Sequence, residues 1–175
     1  MRIHVTGNAG AGKTTLARRL EKELGIQAIC LDRVVWKSGW LKASAEERRT
    51  ALMAIMRRPA WIVEGVSKEV RDAADLVVYL DVPRRVCFWR CAKRNWRYLF
   101  KSRPELPAGC PEWRIIPVLV RIIWRFPRLV GRAISEEAKS SRCYVVLRDR
   151  ESIERWITDF VAARVAFGAP LPQAP

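Results

Sequence analysis

Short apolar runs alternate with amphipathic stretches along most of the chain. Arg2 to Thr6 reads as a short buried strand, followed by a tight glycine-rich turn from Gly7 to Gly12. From Lys13 to Leu24 the period changes: Leu16, Leu20 and Leu24 share one helical face, and Gly25 stops the helix. Ile26 to Leu31 predicts a second strand. Ser44 and Glu47 form a capping box for a helix to about Arg57, which Pro59 ends. Trp61 to Glu64 and Leu76 to Asp81 predict the third and fourth strands. Pro83 opens a long helix to about Lys101, and Ser102 to Pro111 is a loop with Pro and Gly. Trp113 to about Lys139 reads as helical, interrupted at Pro117 and Pro127. Cys143 to Leu147 predicts a fifth strand, and Asp149 caps a last helix ending near Phe167.

Nearly all-apolar strands alternating with helices predict an α/β fold, a parallel sheet with both faces covered. The 175 residues suffice for one domain, 1–167, with a helical hairpin over about 84–135. No internal repeat is visible. The tail 168–175 has three Pro and no charge and is expected to be flexible. Neither a leader nor a membrane span is expected. The longest apolar run of the most hydrophobic later region, Ile115 to Val120, is far short of the ~20 residues that cross a bilayer. Ligands on parallel sheets bind at the carboxyl ends of the strands. That rule selects Gly7 to Thr15, Asp32, Glu64 and Asp81.

Gly7-Asn8-Ala9-Gly10-Ala11-Gly12-Lys13-Thr14 is a full G-x-x-x-x-G-K-[ST] phosphate-loop match, with a predicted strand before it and a helix after it. The glycines allow the backbone to turn its N–H groups inward as an anion nest. The following helix adds the positive end of its dipole. Lys13 has the reach for the β- and γ-phosphates of ATP, and the Thr14 hydroxyl suits the shell of a Mg²⁺ ion. By chance a chain of this length shows the pattern on the order of one time in a hundred, so a turn that binds nothing is a poor reading. Among the acids, Asp32 could take a proton from an acceptor hydroxyl or help hold Mg²⁺, or merely cap a turn. Glu64, after a buried strand beside the loop, is placed to orient a metal-bound water. Asp81 reads equally well as structural.

The formal net charge is +15, with 25 of the 33 basic residues Arg. Arg favours phosphate and carboxylate partners, but an Arg-rich chain also arises from coding bias, and composition leaves both readings open. The charge is concentrated. Between Arg84 and Arg132 there are 13 Lys and Arg against two acids, Glu105 and Glu112, a net +11. Arg90, Arg94, Arg97 and Lys101 repeat at helical spacing, opposite Phe88, Ala92, Trp96 and Leu99. Arg114, Arg121, Arg125, Arg128 and Arg132 repeat on the next helix. If the two stripes converge they roof an anion, as phosphoryl transfer requires. Otherwise they are solvated faces, or a face for nucleic acid or an anionic membrane. The five Cys are odd in number and include no C-x-x-C pair. Together with the single His4, read as a core residue, this predicts reduced, mostly buried thiols, a cytoplasmic setting and no structural zinc.

The phosphate loop, the acids at strand ends and the Arg-bearing helix together resemble the adenylate kinase-like P-loop kinases. More closely, the chain is similar to the FlaR-related kinases, known as DNA topology modulation proteins. The matching stretches are Ile3 to Thr15, Leu31-Asp32 with Trp36, Trp61 to Gly65, Leu80 to Pro83 and Arg90-x-x-x-Arg94. The most specific is the run from Arg103 to Glu112, Arg-Pro-Glu-Leu-Pro-Ala-Gly-Cys-Pro-Glu. The resemblance covers about residues 1–165. It implies the three-layer P-loop NTPase fold, a five-stranded parallel sheet in the order 2-3-1-4-5 and a mobile lid. It implies Arg90 against the adenine and Arg94 on the phosphates. Glu64 stands where the family usually has Asp. Val66, Ser67 and Lys68 replace the aromatic, Pro and Arg with which adenylate kinases hold AMP, which argues against AMP as acceptor.

The expected function is ATP-dependent phosphoryl transfer. Gly7 to Gly12 with Lys13, Thr14 and Thr15 would bind ATP, Thr14 and Glu64 would hold Mg²⁺, Arg90 and Arg94 would clamp the moving group, and Asp32 would face the acceptor. The alternative is a nucleic-acid-binding ATPase whose basic hairpin contacts DNA.

Overall fold

The computed structural model describes residues 1–100, 102, 106–140 and 143–166. Lys101, Arg103 to Glu105, Phe167 and the tail 168–175 lie outside the described residues. Strand β1 (Arg2–Gly7) runs into the phosphate loop and helix α1 (Lys13–Leu24), and Gly25 closes that helix in the left-handed conformation. Next come β2 (Ala28–Cys30), α2 (Leu31–Val35), a two-stranded hairpin of β3 (Trp36–Lys37) and β4 (Leu41–Lys42), and α3 (Ala45–Met56). Then follow β5 (Trp61–Glu64), α4 (Lys68–Asp72), β6 (Leu76–Leu80) and α5 (Arg84–Arg97). The chain ends with α6 (Ile116–Phe126), α7 (Arg132–Ser140), β7 (Tyr144–Leu147) and α8 (Arg150–Ala166).

The main sheet is parallel throughout, in the order β2-β5-β1-β6-β7. Counted along the chain, that is the expected 2-3-1-4-5. The pleat sorts the apolar runs onto two faces. Ile3, Val5, Ile62, Val78, Leu80 and Leu147 join Leu16, Leu20, Cys87 and Ile157 in one core. Trp61 and Val63 pack with Leu31, Ile55 and Val70 on the opposite face, and Tyr79 packs with Phe126 and Ile134. A strand buried on both faces has no polar position to alternate with, hence the continuous apolar runs. The capping box is present: Ser44 Oγ accepts from Glu47 N at 3.1 Å, and Glu47 Oε2 from Ser44 N at 2.8 Å. Asp149 accepts from Ser152 N at 2.7 Å at the start of α8.

Several boundaries differ from the sequence reading. The expected strand Ile26 to Leu31 is formed only at Ala28–Cys30, because Leu31 turns inward to start α2 and bury itself. Helices α2 and α4, five residues each, are too short to show a helical period. Helix α5 ends at Arg97. Trp113 to Lys139 is a 3₁₀ turn (Glu112–Arg114), then α6, a π turn (Pro127–Gly131) and α7. Pro117 sits in the first turn of α6, where its missing N–H costs nothing. Pro127 is accommodated by the wider π turn. Of the five thiols, Cys87, Cys91 and Cys110 are buried, Cys30 is half-buried and Cys143 is exposed. Among the described residues, no helix is long and apolar enough to cross a membrane.

Candidate functional site

The carboxyl ends of β1, β2 and β5 open into a cleft of about 760 Å³. Its floor is the phosphate loop. Gly7, Ala9, Gly10, Gly12, Lys13, Thr14 and Thr15 line it, whereas Asn8 and Ala11 do not. The Asn8 side chain is buried, accepting from Ala9 N at 2.8 Å and donating to Ile123 O at 3.0 Å, so it ties the loop to α6. Ala11 belongs to the core. The Lys13 ammonium donates to Gly7 O at 3.0 Å and Asn8 O at 2.9 Å, arched over the loop it follows. No acid lies in the first turn of α1, so the positive end of its dipole is uncompensated.

Glu64 ends β5 between β1 and β2, opposite Val5 and Cys30. Its side chain is 5% exposed and accepts from Thr14 Oγ1 at 2.9 Å. Burial raises the Cys30 pKa far above the usual thiol range, and the Glu64 and Asp32 carboxylates and a hydrogen bond to Glu64 add to the shift. This thiol, read in the sequence only as one of five reduced cysteines, thus sits beside the two acids, outside the cleft lining, and stays protonated. Asp32 is exposed on the first turn of α2 and lines the same cleft. Gly65 makes its position possible. At φ +142°, a Cβ there would lie 2.7 Å from Leu31 Cβ, so only glycine lets Leu31 settle against the strand end with Asp32 beside it. His4, fully buried behind this region, donates from Nε2 to Gly65 O at 3.2 Å. Its Nδ1 has no hydrogen-bond partner among the described residues, and burial lowers its pKa to about 4. It is a neutral core residue.

Helix α5 packs directly on the loop. Arg90 Nη1 donates to Ala11 O at 3.1 Å. One turn on, Arg94 Nη2 points at Cys91 Sγ at 3.7 Å, and its buried Nε has no hydrogen-bond partner among the described residues. Both line the cleft. The two faces read from the sequence for this helix are separate, but neither is the face that packs on the core. Its core face is Cys87, Cys91 and Asn95, and Trp96 is 83% exposed. Phe88, Ala92, Trp96 and Leu99 instead line a separate groove toward α6. The second Arg stripe divides. Arg121 and Arg125 line the cleft, Arg114 lies 5.3 Å over Trp113, and Arg128 and Arg132 are exposed outside it. Asp81 stands apart from the cleft, accepting from Tyr79 Oη at 3.4 Å and from Arg148 Nε at 3.3 Å, and is structural.

The remaining wall is aromatic. Trp36 and Trp40 meet edge to face with centroids 5.3 Å apart, and Tyr98 lies at the end of α5. Trp40 adopts φ +63°, uncommon for a side-chain-bearing residue. It is held there by the loop before α6, through Nε1 to Pro111 O at 2.9 Å and N to Cys110 Sγ at 3.4 Å. Ser38 Oγ donates to Ala108 O at 2.7 Å. The hairpin and this loop therefore form one strap. Trp40 and Tyr98 carry no sequence pattern that would have singled them out.

Comparison with known proteins follows this geometry. The family described as AAA domain matches residues 3–98, from β1 through the end of α5. No curated protein matches the chain. Among solved structures, a deoxyadenosine kinase from M. mycoides with bound dATP aligns at 15% identity and TM-score 0.57, over 93% of this chain and 100% of that one. A shikimate kinase from Bacteroides thetaiotaomicron aligns at 18% identity and TM-score 0.51, over 97% and 99%. A sugar kinase from Janibacter sp. aligns at 18% and 0.51, over 90% and 92%. At these identities the likeness establishes the fold, that of P-loop kinases.

Proposed function

The chain belongs to the AAA domain family, and from that premise we propose that it is an ATP-dependent phosphotransferase, a P-loop kinase acting on a small hydroxyl-bearing acceptor. One observation carries the reading: Lys13 on its loop, Thr14 bonded to a buried Glu64 and Asp32 on its short helix all meet one cleft. A glycine-rich turn without phosphoryl chemistry has no need of a buried carboxylate on the Thr14 hydroxyl.

The loop amides and the start of α1 bind the phosphates. Lys13 exchanges its two carbonyl partners for phosphate oxygens. Thr14 and Glu64 offer only oxygen donors, 2.9 Å apart, a set suited to a hard cation such as Mg²⁺. When bound, Mg²⁺ neutralises charge on the β- and γ-phosphates. Arg90 covers the nucleotide side of the loop, and Arg94, whose Nε has no hydrogen-bond partner among the described residues, meets the moving group. Asp32 takes the proton of the acceptor hydroxyl. Trp36, Trp40 and Tyr98 wall off water on the acceptor side. Within the P-loop kinases, the run from Arg103 to Glu112, whose described residues from Leu106 on join the strap, supports a place beside the FlaR-related kinases, and the free, mostly buried thiols support a cytoplasmic setting.

The test offers Mg·ATP and a panel of nucleosides, sugars and small alcohols to the full chain, without DNA, and follows phosphoryl transfer by mass. Transfer to one acceptor class, abolished in Lys13→Ala together with ATP binding, is expected. Normal turnover in folded Lys13→Ala overturns the reading. ATP hydrolysis that appears only with DNA would favour a nucleic-acid-binding ATPase.

A further inference from the structure

The proposed chemistry leaves one large feature unused. Among the described residues, ten of the thirteen exposed large hydrophobics lie between Val86 and Leu129, and all of these but Ile122 and Leu129 lie outside the cleft lining. That is the segment that carries +11 of the net charge. Of its two acids, Glu112 is fully buried and Glu105 lies outside the described residues, so its described surface has no acid. Exposed apolar side chains and cations without an acidic neighbour therefore share one segment, of which Arg90, Arg94, Arg121, Ile122, Arg125 and Leu129 face the cleft and the rest lie outside its lining.

The helices arrange these groups. On α5, Arg85, Trp89, Lys93 and Trp96 follow one another at spacings of four, four and three, which places them on one side. Trp89 and Trp96 are 70% and 83% exposed. Beside them a groove of about 270 Å³ runs between the helices, walled by Phe88, Ala92, Trp96 and Leu99 of the α5 arm and by Ile116 and Val120 of α6. On α6, Trp124 is 55% exposed with the Arg84 guanidinium 4.7 Å from its ring.

We infer that this outer face of the α5–α6 pair docks on an anionic lipid bilayer. Its indoles and aliphatic side chains enter the headgroup region, and Arg85, Lys93 and their neighbours lie against lipid phosphates. Indoles are the side chains that favour this boundary, and each basic residue near an anionic surface adds attraction. Nucleic acid would use the cations equally well but gives Val86 and Val120, both exposed, nothing to stack on or bond with. Trp113 and Trp124 already have an Arg over their rings. A second copy of the chain would set two acid-free basic surfaces against each other, which like-charge repulsion opposes. The inference is independent of the transferase reading.

The experiment sediments the full chain with phosphatidylcholine vesicles, with and without about 30 mol % phosphatidylglycerol, at about 0.15 M salt. Wild type is expected to bind the anionic vesicles at least about tenfold more strongly, with a blue shift of tryptophan emission. Trp89→Ser with Trp96→Ser, and separately Arg85→Glu with Lys93→Glu, should each reduce binding about tenfold. Their circular dichroism should match wild type, since the changed side chains pack against nothing in the core. Lys13→Ala should bind vesicles like wild type, which separates this face from the cleft. Equal binding to neutral and anionic vesicles, or binding to neither, overturns the inference. So does binding to duplex DNA that exceeds vesicle binding and falls in the same variants, which would assign the face to nucleic acid. Self-association abolished by the Trp variants would assign it to a second copy.

Discussion

Replacing Gly10 by Ala tests the contact on which the whole cleft depends, the seating of α5 on the phosphate loop. Gly10 has φ +79°, and a Cβ there would lie 2.5 Å from Cys87 O, 2.9 Å from Cys91 Sγ and 3.2 Å from the Cys87 carbonyl carbon. Two costs follow. An L side chain in the left-handed region costs about 1–2 kcal/mol. The clash is with helix backbone, not a flexible side-chain tip, so α5 must back away, and overpacking of this kind costs typically about 1–3 kcal/mol. The total is about 2–5 kcal/mol, a large share of the roughly 5–15 kcal/mol that holds a domain folded. At about 2–4 °C per kcal/mol for a chain of this size, thermal unfolding should fall by roughly 4–20 °C. Gly39→Ala is the control. Gly39 has nearly the same φ, +74°, but nothing within 4 Å of its Cβ position, so it should show the backbone cost alone. The difference between the two variants reads the packing term. As α5 retreats, Arg90 loses its 3.1 Å bond to Ala11 O. Calorimetry well below the melting temperature should then show ATP affinity reduced about tenfold, the loss of one charge-assisted bond of about 1.5 kcal/mol from the displaced Arg90 to the nucleotide in the proposed complex. Equal melting temperatures for Gly10→Ala and Gly39→Ala would refute this seating of α5.

Glu64→Gln keeps the size of the side chain and an acceptor for Thr14 but removes the charge; Mg·ATP affinity should drop about 10–100-fold, with metal-free nucleotide binding little changed by calorimetry. Asp32→Asn should slow single-turnover transfer by about 10²–10⁴ and leave ATP affinity intact, whereas a parallel loss of Mg·ATP affinity would reassign Asp32 to the metal. His4 is held neutral, with a pKa of about 4 against 6.5 in the unfolded chain. Because the unfolded state binds the extra proton, stability should be full above pH 6.5 and fall as pH drops toward 4, by up to about 3 kcal/mol. His4→Gln should flatten denaturant-measured stability across that window.

The phosphate loop, most of the strand runs and the capping of α1, α3 and α8 were legible in the sequence because each is local, whereas the sheet order was implied only by the family resemblance. A glycine pattern, a Ser–Glu pair three residues apart or a run of apolar residues carries its own geometry. The orientation of α5 shows where such legibility ends. Phe88, Ala92, Trp96 and Leu99 form a better apolar stripe than Cys87, Cys91 and Asn95, and hydropathy alone buries the former. The structure buries the latter because Gly10 brings the helix backbone against the loop, where only small side chains fit: a Cβ on Gly10 would already touch Cys91 Sγ. A glycine required by the phosphate nest thus decides, through a contact some eighty residues away in sequence, which face of α5 turns inward. That choice places Arg90 and Arg94 on the flank facing the cleft and leaves Trp89 and Trp96 facing outward. The nucleotide site and the exposed basic-aromatic surface are therefore two results of one packing constraint. An insertion or deletion of a single residue between Cys87 and Arg94 would rotate Arg94 by about 100° on the helix. It should abolish ATP-dependent transfer even if the helix remained fully formed by circular dichroism.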